Sequence, residues 1–403
     1  MIKQRIITVC DRVIETCFLA LIAAVTFSTS LVEIASSLLI ISWITKKVIE
    51  KDLSWLKLGP IRITLVLWAW VILSCFNSEY PSESFRGIFK VLEYSLVFIA
   101  VATTAWKKGF IKRFIYVLTG TTIVISANGF FQYFTGEGLI RHRTLITLDY
   151  MRRTSSSFIH PNDFGVYLLV VCAIFLSFVI SEREKIRSKM LFFIPMIISL
   201  LSLFFTKSRG AWLSFCAAFL VTGALRSKRM VAFFLALLLS VFVLLPYTAQ
   251  ERIFSLTDTK SGTTWERLML WKGTINMIKE HPILGFGVNT YSRNFPKYKP
   301  GEYPDVRYSH NCYLHMASEI GIPGALIFLV FLISTLICVI KGVSSMPPGR
   351  AKILSLGIFT GLVGFSINAM VDTHFYSVNL AVFFHLFLGF CYALACNEEK
   401  KHA

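Results

Sequence analysis

The chain has 403 residues, 55% hydrophobic and only 16% charged, with a formal net charge of +18. Repeated apolar runs near the ~20 residues needed to cross a bilayer exclude a soluble domain and read as an all-α integral membrane protein. Much of the basic excess lies in short loops beside those runs, where it reports topology and anionic lipid headgroups rather than nucleic acid.

In chain order the apolar runs fall roughly at 13–28, 31–45, 61–77, 86–106, 111–134, 163–181, 190–206, 210–225, 230–247, 311–340, 351–371 and 376–396. That predicts about twelve transmembrane helices in a single membrane domain, 1–403. The first run lacks a small-residue cleavage site and reads as a signal anchor. The connections Lys46–Arg62, Lys107–Arg113, Glu182–Lys189, Arg226–Arg229 and Lys341–Lys352 are short and rich in Lys or Arg. The positive-inside rule makes them cytoplasmic, together with both termini. Asn77–Ser84 and Asp372–Tyr376 contain neither Lys nor Arg and fall on the opposite side.

Two longer segments share that outer side. One, about 135–162, carries Arg141, His142, Arg143, Arg152 and Arg153; the other, 248–309 between the ninth and tenth spans, carries Lys and Arg from Arg252 to Arg307. Basic residues on the face where the rule discourages them point to an anionic ligand. Within the larger loop, Thr263 with Glu266 three residues later makes a capping box, and Leu268, Trp271, Ile275 and Ile278 fall on one helical face. Pro282 and Gly285 end that helix. Trp265 and Trp271 then anchor it along the outer leaflet, with Arg267 near the level of lipid phosphates.

Each candidate has a bland reading beside a chemical one. Arg209, in the Thr206–Gly210 turn with Lys207, is either an arginine snorkelling to lipid or a phosphate ligand at a helix N-terminus. Arg267 is either an exposed charge or a second bidentate partner for a diphosphate. His310 opens the tenth span; a lone boundary histidine is more often structural, yet an imidazole beside a basic loop suits a general base. Asn311 would orient it or bind a substrate hydroxyl. His315, about 140° further around the helix, reads as packing, and His374 beside Asp372 is a reserve base or binding residue. Asn162 reads as an N-cap. None of the nine cysteines pairs in a disulfide or CxxC pattern, and no HExxH or carboxylate cluster suggests a metal. Neutralising a diphosphate therefore falls to arginines, with no cofactor.

Lys207-Ser208-Arg209-Gly210 before a span, Trp265-Glu266-Arg267 followed by Pro282-Ile283-Leu284-Gly285-Phe286-Gly287, and His310-Asn311-Cys312-Tyr313-Leu314 running to Glu319-Ile320-Gly321-Ile322-Pro323-Gly324 occur in that order on one face. In this the chain resembles the O-antigen ligase family, the lipopolysaccharide ligases, with the related O-antigen polymerases and O-linked oligosaccharyltransferases. Arg153 through Asn162 resembles the family's Pro-Asn motif, although Ser155-Ser156-Ser157 stands where more glycine is expected. The resemblance implies an inverting, metal-independent glycosyltransferase of the GT-C type in the bacterial inner membrane, its site facing the periplasm. The donor would be undecaprenyl-diphosphate-linked glycan and the acceptor lipid A–core oligosaccharide. His310 would be the catalytic base and Arg209 and Arg267 the diphosphate ligands; Asn311, Lys207, Arg141, Arg143, Arg153 and His374 would assist around the substrates. Nothing requires more than a monomer.

The nearest alternative is a polymerase of surface polysaccharide, with a second lipid-linked glycan as acceptor. Transfer to protein is a further one. A transporter of lipid-linked glycan would want ionisable groups deep in several spans and repeated halves; Glu33, Lys90 and Glu93 lie in spans, but no repeat is apparent.

Overall fold

The computed structural model describes residues 2–107, 109–148, 151–181, 186–225, 262–301, 304 and 306–396. The ninth span expected at 230–247 and the first part of the large loop lie outside the described residues. The elements are α1 (Ile2–Phe27), α2 (Thr29–Glu50), α3 (Gly59–Cys75), α4 (Pro81–Ala102), α5 (Phe110–Thr135), a hairpin of β1 (Ile146–Leu148) and β2 (Met151–Arg153), α6 (Pro161–Ile180), α7 (Ile186–Phe205), α8 (Arg209–Ala224), α9 (Gly262–Glu280), α10 (Tyr291–Asn294), α11 (Cys312–Ser345), α12 (Arg350–Asn368) and α13 (Val378–Cys396). Among the described residues the regular elements are helices apart from that hairpin.

Among the described residues α5, α6, α11, α12 and α13 are long and apolar enough to cross a membrane, and α3, α8 and residues 189–205 of α7 are shorter apolar helices. The two apolar runs at the amino end are separate helices that pack against each other. Ser28, in extended backbone, breaks them, and its side chain caps α2 through the Leu31 N–H. The core lies around α6 and α13, which are buried almost end to end, flanked by α4, α7, α8, α11 and α12. Peripheral helices instead turn apolar stripes outward. Leu326, Val330, Ile333 and Ile337 of α11 are all about half exposed, as are Leu31, Ile34, Leu38 and Ile41 of α2. Continuous apolar ridges of this kind are what a bilayer covers.

The long helix α11 is broken. Ile320 leaves helical geometry and Gly321 takes φ +73°, freeing carbonyls that hydrocarbon cannot satisfy. The stretch after α9 satisfies them: Phe286 N–H donates to Ser318 O (3.0 Å) and Gly287 N–H to Glu319 O (2.8 Å), while Ile322 N–H donates to Pro282 O (2.8 Å). Trp70 of α3 donates its indole N–H to Ile320 O at 2.9 Å. A Cβ on Gly321 would stand 1.8 Å from Ile283 O, and one on Gly285 would stand 2.5 Å from Glu319 O. The Pro282–Gly287 and Glu319–Gly324 motifs are thus two halves of one clasp.

The large loop also docks on the α3–α4 turn. Asn77 donates to Gly285 O (2.7 Å), Arg293 pairs with Glu83 (3.0 Å) and Lys297 with Glu79 (3.0 Å). Helix α9 departs from its expected face. Leu270, Gly273, Thr274 and Met277 are buried, with Leu270 and Met277 in a small core with Phe286, Tyr291 and Phe295. Ile275 of the expected stripe is exposed, with Leu268, Trp271 and Ile278 only partly covered. Glycine and threonine carry no weight in an apolar periodicity, although here they let the helix approach closely.

Candidate active site

Two helices begin at the site, each preceded by a residue in left-handed backbone. Lys207 (φ +52°) precedes Ser208, the N-cap of α8, and His310 (φ +52°) precedes Asn311, the N-cap of α11. Such conformations are uncommon for residues with a side chain, although histidine is among those that tolerate them. The Ser208 side chain makes no capping bond, so the positive end of α8 is left to other partners.

Arg209, the first residue of α8, is only 6% exposed. It reaches across to α9 and donates to Thr263 Oγ1 at 2.5 Å, so it does not snorkel into lipid. Helix α9 starts at Gly262, and Thr263 lies inside its first turn with its hydroxyl bonded to this arginine. The N-cap of α6 is His160 rather than Asn162, because Pro161 occupies the first helical position. That leaves the Asn162 amide to bridge two other groups: its Oδ1 accepts from Arg153 at 2.7 Å, and its Nδ2 donates to Asp372 Oδ2 at 2.6 Å. Arg153, buried at the end of the hairpin, also donates from Nε to Thr206 O at 3.0 Å.

Asp372, in the turn between α12 and α13, joins these parts. Its Oδ1 is 3.1 Å from His310 Nδ1 and accepts from Thr373 N–H at 2.9 Å. Its Oδ2, held by Asn162, lies 3.7 Å from an Arg267 terminal nitrogen. Burial opposes ionisation of this carboxyl, but His374, His310 and Arg267 around it outweigh that and hold it well below the usual carboxylate range. An ionised Asp372 accepts a hydrogen bond from Nδ1–H, which leaves the Nε2 lone pair of His310 as the proton acceptor. Nε2 bonds to no described residue.

A polar cavity of about 340 Å³ lies over this arrangement, lined by Arg153, His160, Lys207, Arg209, Gly210, Glu266, Arg267 and His310 among others. Four basic side chains converge there with the N-terminus of α8, against the single carboxylate Glu266. Gly210 is needed at that wall: a Cβ would meet Asn368 Nδ2 and Val371 Cγ2 at 3.2 Å. A second cavity, about 420 Å³, lies on the other side of His310 and shares only His160 and His310 with the first.

The structure therefore brings together His310, Arg209, Arg267, Lys207 and Arg153. Arg141 lines the second cavity, whereas Arg143 turns away to donate to Ser157 O at 2.9 Å. The Asn311 side chain is occupied in capping α11, accepting from Tyr313 and Leu314 N–H at 3.0 Å. His374 is buried, held by Asn368 (2.6 Å) and Asp163 (3.2 Å). His315 is buried too, 3.4 Å from Glu319 and stacked on Tyr291. The serine run is a structural plug: Gln132 Oε1 accepts from the N–H groups of Ser155 and Ser156 at 2.9 and 2.8 Å. Sequence reasoning passed over Asp372 and His160 as members of the site. The signal for Asp372 was its acid group in a turn on a face otherwise poor in acids.

A family model described as O-antigen ligase matches residues 194–329, a stretch that includes Lys207, Arg209, Arg267 and His310, and over that stretch the chain is similar to the family. Comparison with curated proteins gives no match.

Proposed function

We propose that this chain is an O-antigen ligase that moves glycan from undecaprenyl diphosphate to lipid A–core oligosaccharide at the periplasmic face of the inner membrane. The observation that carries this reading is the Asp372 carboxylate, which holds His310 on one oxygen and faces Arg267 on the other, two side chains that both line the basic cavity. General base and diphosphate ligands thus converge on one small volume.

In the reaction, His310 Nε2 takes the proton of an acceptor hydroxyl as its oxygen attacks the anomeric carbon from the face opposite the diphosphate. The new C–O bond forms while the bond from the anomeric carbon to the phosphate oxygen breaks, inverting the configuration. Its electron pair leaves with undecaprenyl diphosphate, and the proton stays on His310 until solvent takes it. Asp372 stabilises the imidazolium that forms. Arg209, Arg267 and Lys207, with the positive end of α8, stabilise the charge gathering on the leaving group. Base assistance of this kind is worth ~10²–10⁴-fold. Among the described residues no cluster of three or more His, Cys, Asp or Glu is placed to hold a metal ion, and the mechanism asks for none.

The test is reconstitution with undecaprenyl-diphosphate glycan and lipid A–core in the presence of EDTA. Glycan-capped core is the expected product. Lengthening of the lipid-linked glycan in its place would make the enzyme a polymerase, and full activity in both His310→Ala and Arg267→Ala variants would refute the site.

A further inference from the structure

We propose that the second cavity is the acceptor subsite, and that it recognises its ligand by a phosphorylated saccharide headgroup. The proposal rests on the transferase reading and extends it to the other substrate. A two-substrate transfer needs both ligands to reach the base at once. His310 stands in the wall between two cavities that otherwise share only His160. The first is filled by the groups suited to a diphosphate, which leaves the second for the nucleophile.

The lining of the second cavity has the chemistry of a charged sugar site. Lys90 from α4, Arg141 from the segment before β1 and Arg307 from the end of the large loop all line it. None makes an ion pair with a described residue, while the two carboxylates in the lining are engaged already: Asp372 with His310 and Arg267, Asp163 with His374. Three cations from three distant parts of the chain, none held in a close ion pair with a described residue, suit a dianionic phosphomonoester better than a single carboxylate. Thr29, Thr373, Ser377 and Asn379 supply hydroxyls and an amide, and Tyr308 and Tyr376 supply ring faces, as a saccharide requires.

The ligand is also an amphiphile. A crevice of about 120 Å³ among α3, α4 and α11, lined by Leu67, Val71, Phe328 and Phe331, shares Lys90, Tyr308 and Tyr376 with the cavity. A chamber lined by cations and hydroxyls beside an apolar crevice fits a glycolipid rather than a free sugar.

The experiment measures binding of lipid A–core to the full chain in nanodiscs, before and after phosphatase treatment of the lipid. Arg307→Gln and Lys90→Gln should each weaken binding of the phosphorylated acceptor by roughly 5–20-fold, a charge-assisted contact discounted for its exposure. Neither should change affinity for the dephosphorylated acceptor or for undecaprenyl-diphosphate glycan. Unchanged affinity of both variants for the phosphorylated lipid, or equal wild-type affinity for the two lipid forms, overturns the proposal. Donor binding doubles as the test of folding, and Arg141→Gln replaces either variant that loses it. A wild-type protein that binds both lipids but transfers no glycan would overturn the transferase reading and leave this comparison to decide the subsite.

Discussion

Replacing Asp372 by Asn keeps the shape of the side chain and removes the charge that links base to diphosphate ligand. Two opposite charges about 4 Å apart interact by ~4 kcal/mol at an effective dielectric of ~20. The His310 side chain is 40% exposed, so solvent reduces the stabilisation of its imidazolium to about 2 kcal/mol. That alone is ~30-fold in rate at 1.36 kcal/mol per decade. An amide can also present its NH₂ group to Nδ1, which puts the proton on Nε2 and removes the acceptor. Together these place the loss in kcat for Asp372→Asn near ~10²-fold, with a smaller rise in donor KM as Arg267 loses its partner. Wild-type Asp372 has a depressed pKa, so its ionised form and the stability that form contributes are complete above the ordinary carboxylate range. Both are lost only as the pH falls through the lowered value. No limb of the rate profile between about pH 5 and 9 therefore belongs to Asp372. Steady-state transfer measured across pH in detergent decides the matter. A wild-type kcat in Asp372→Asn, or a wild-type limb between about pH 5 and 9 that the variant lacks, refutes the reasoning.

Arg209→Ala and Arg267→Ala should each lower kcat/KM for the donor by ~10²–10³-fold, and Arg209→Lys should recover little because the planar fork is lost; donor titration at saturating acceptor reads this, and rescue by lysine would show that charge alone suffices. Gly321→Ala adds a Cβ 1.8 Å from Ile283 O at φ +73°, a strain of roughly 1–3 kcal/mol or more, so its thermal midpoint should fall by several degrees. Gly59→Ala, with open space around it, should melt as the wild type does, and equal midpoints for the two variants would remove the clasp from the account of the fold. Glu79→Gln and Glu83→Gln break exposed ion pairs with Lys297 and Arg293 and should barely move either melting or turnover; a large loss of activity would mean that the α3–α4 turn positions the site.

The helix inside the large loop and the residues His310, Arg209 and Arg267, which line one cavity, were legible because each leaves a local signal: a helix stop, an imidazole just before a helix start, an arginine in a turn or on a basic loop. What was not legible depends on residues far apart in the chain. Asp372 meets His310 across 62 positions and Asn162 across 210, and no periodicity reports such a meeting. Asn162 looked like a cap because an Asn near a helix start usually is one; Pro161 moved the cap back to His160 and freed the amide. The Ser155–Ser157 run looked like a loop around a ligand. Its backbone is instead spent on Gln132, a residue inside an apolar run that gave no reason to be singled out.

The charge anomaly of the large loop divides once its partners are known. Arg293 and Lys297 answer Glu83 and Glu79, Arg267 faces Asp372, and Arg307 faces the second cavity. Only the last two line a cavity beside His310. Their placement depends on the break in α11, because Phe286 and Gly287, a short way beyond the end of α9, bond the carbonyls which that break exposes. Inside a bilayer an unpaired carbonyl costs several kcal/mol, so the helix tolerates its break only while the loop is docked. The same helix begins at the Asn311 cap directly after His310. Docking the loop thus fixes α9, which carries Arg267, against the helix that begins directly after His310, and Asp372 closes the connection between them. The relation of His310 to Arg267 is set by the folding of one loop onto one broken helix, so on the proposed mechanism glycines so far from the cavity as Gly285 and Gly321 bear on catalysis.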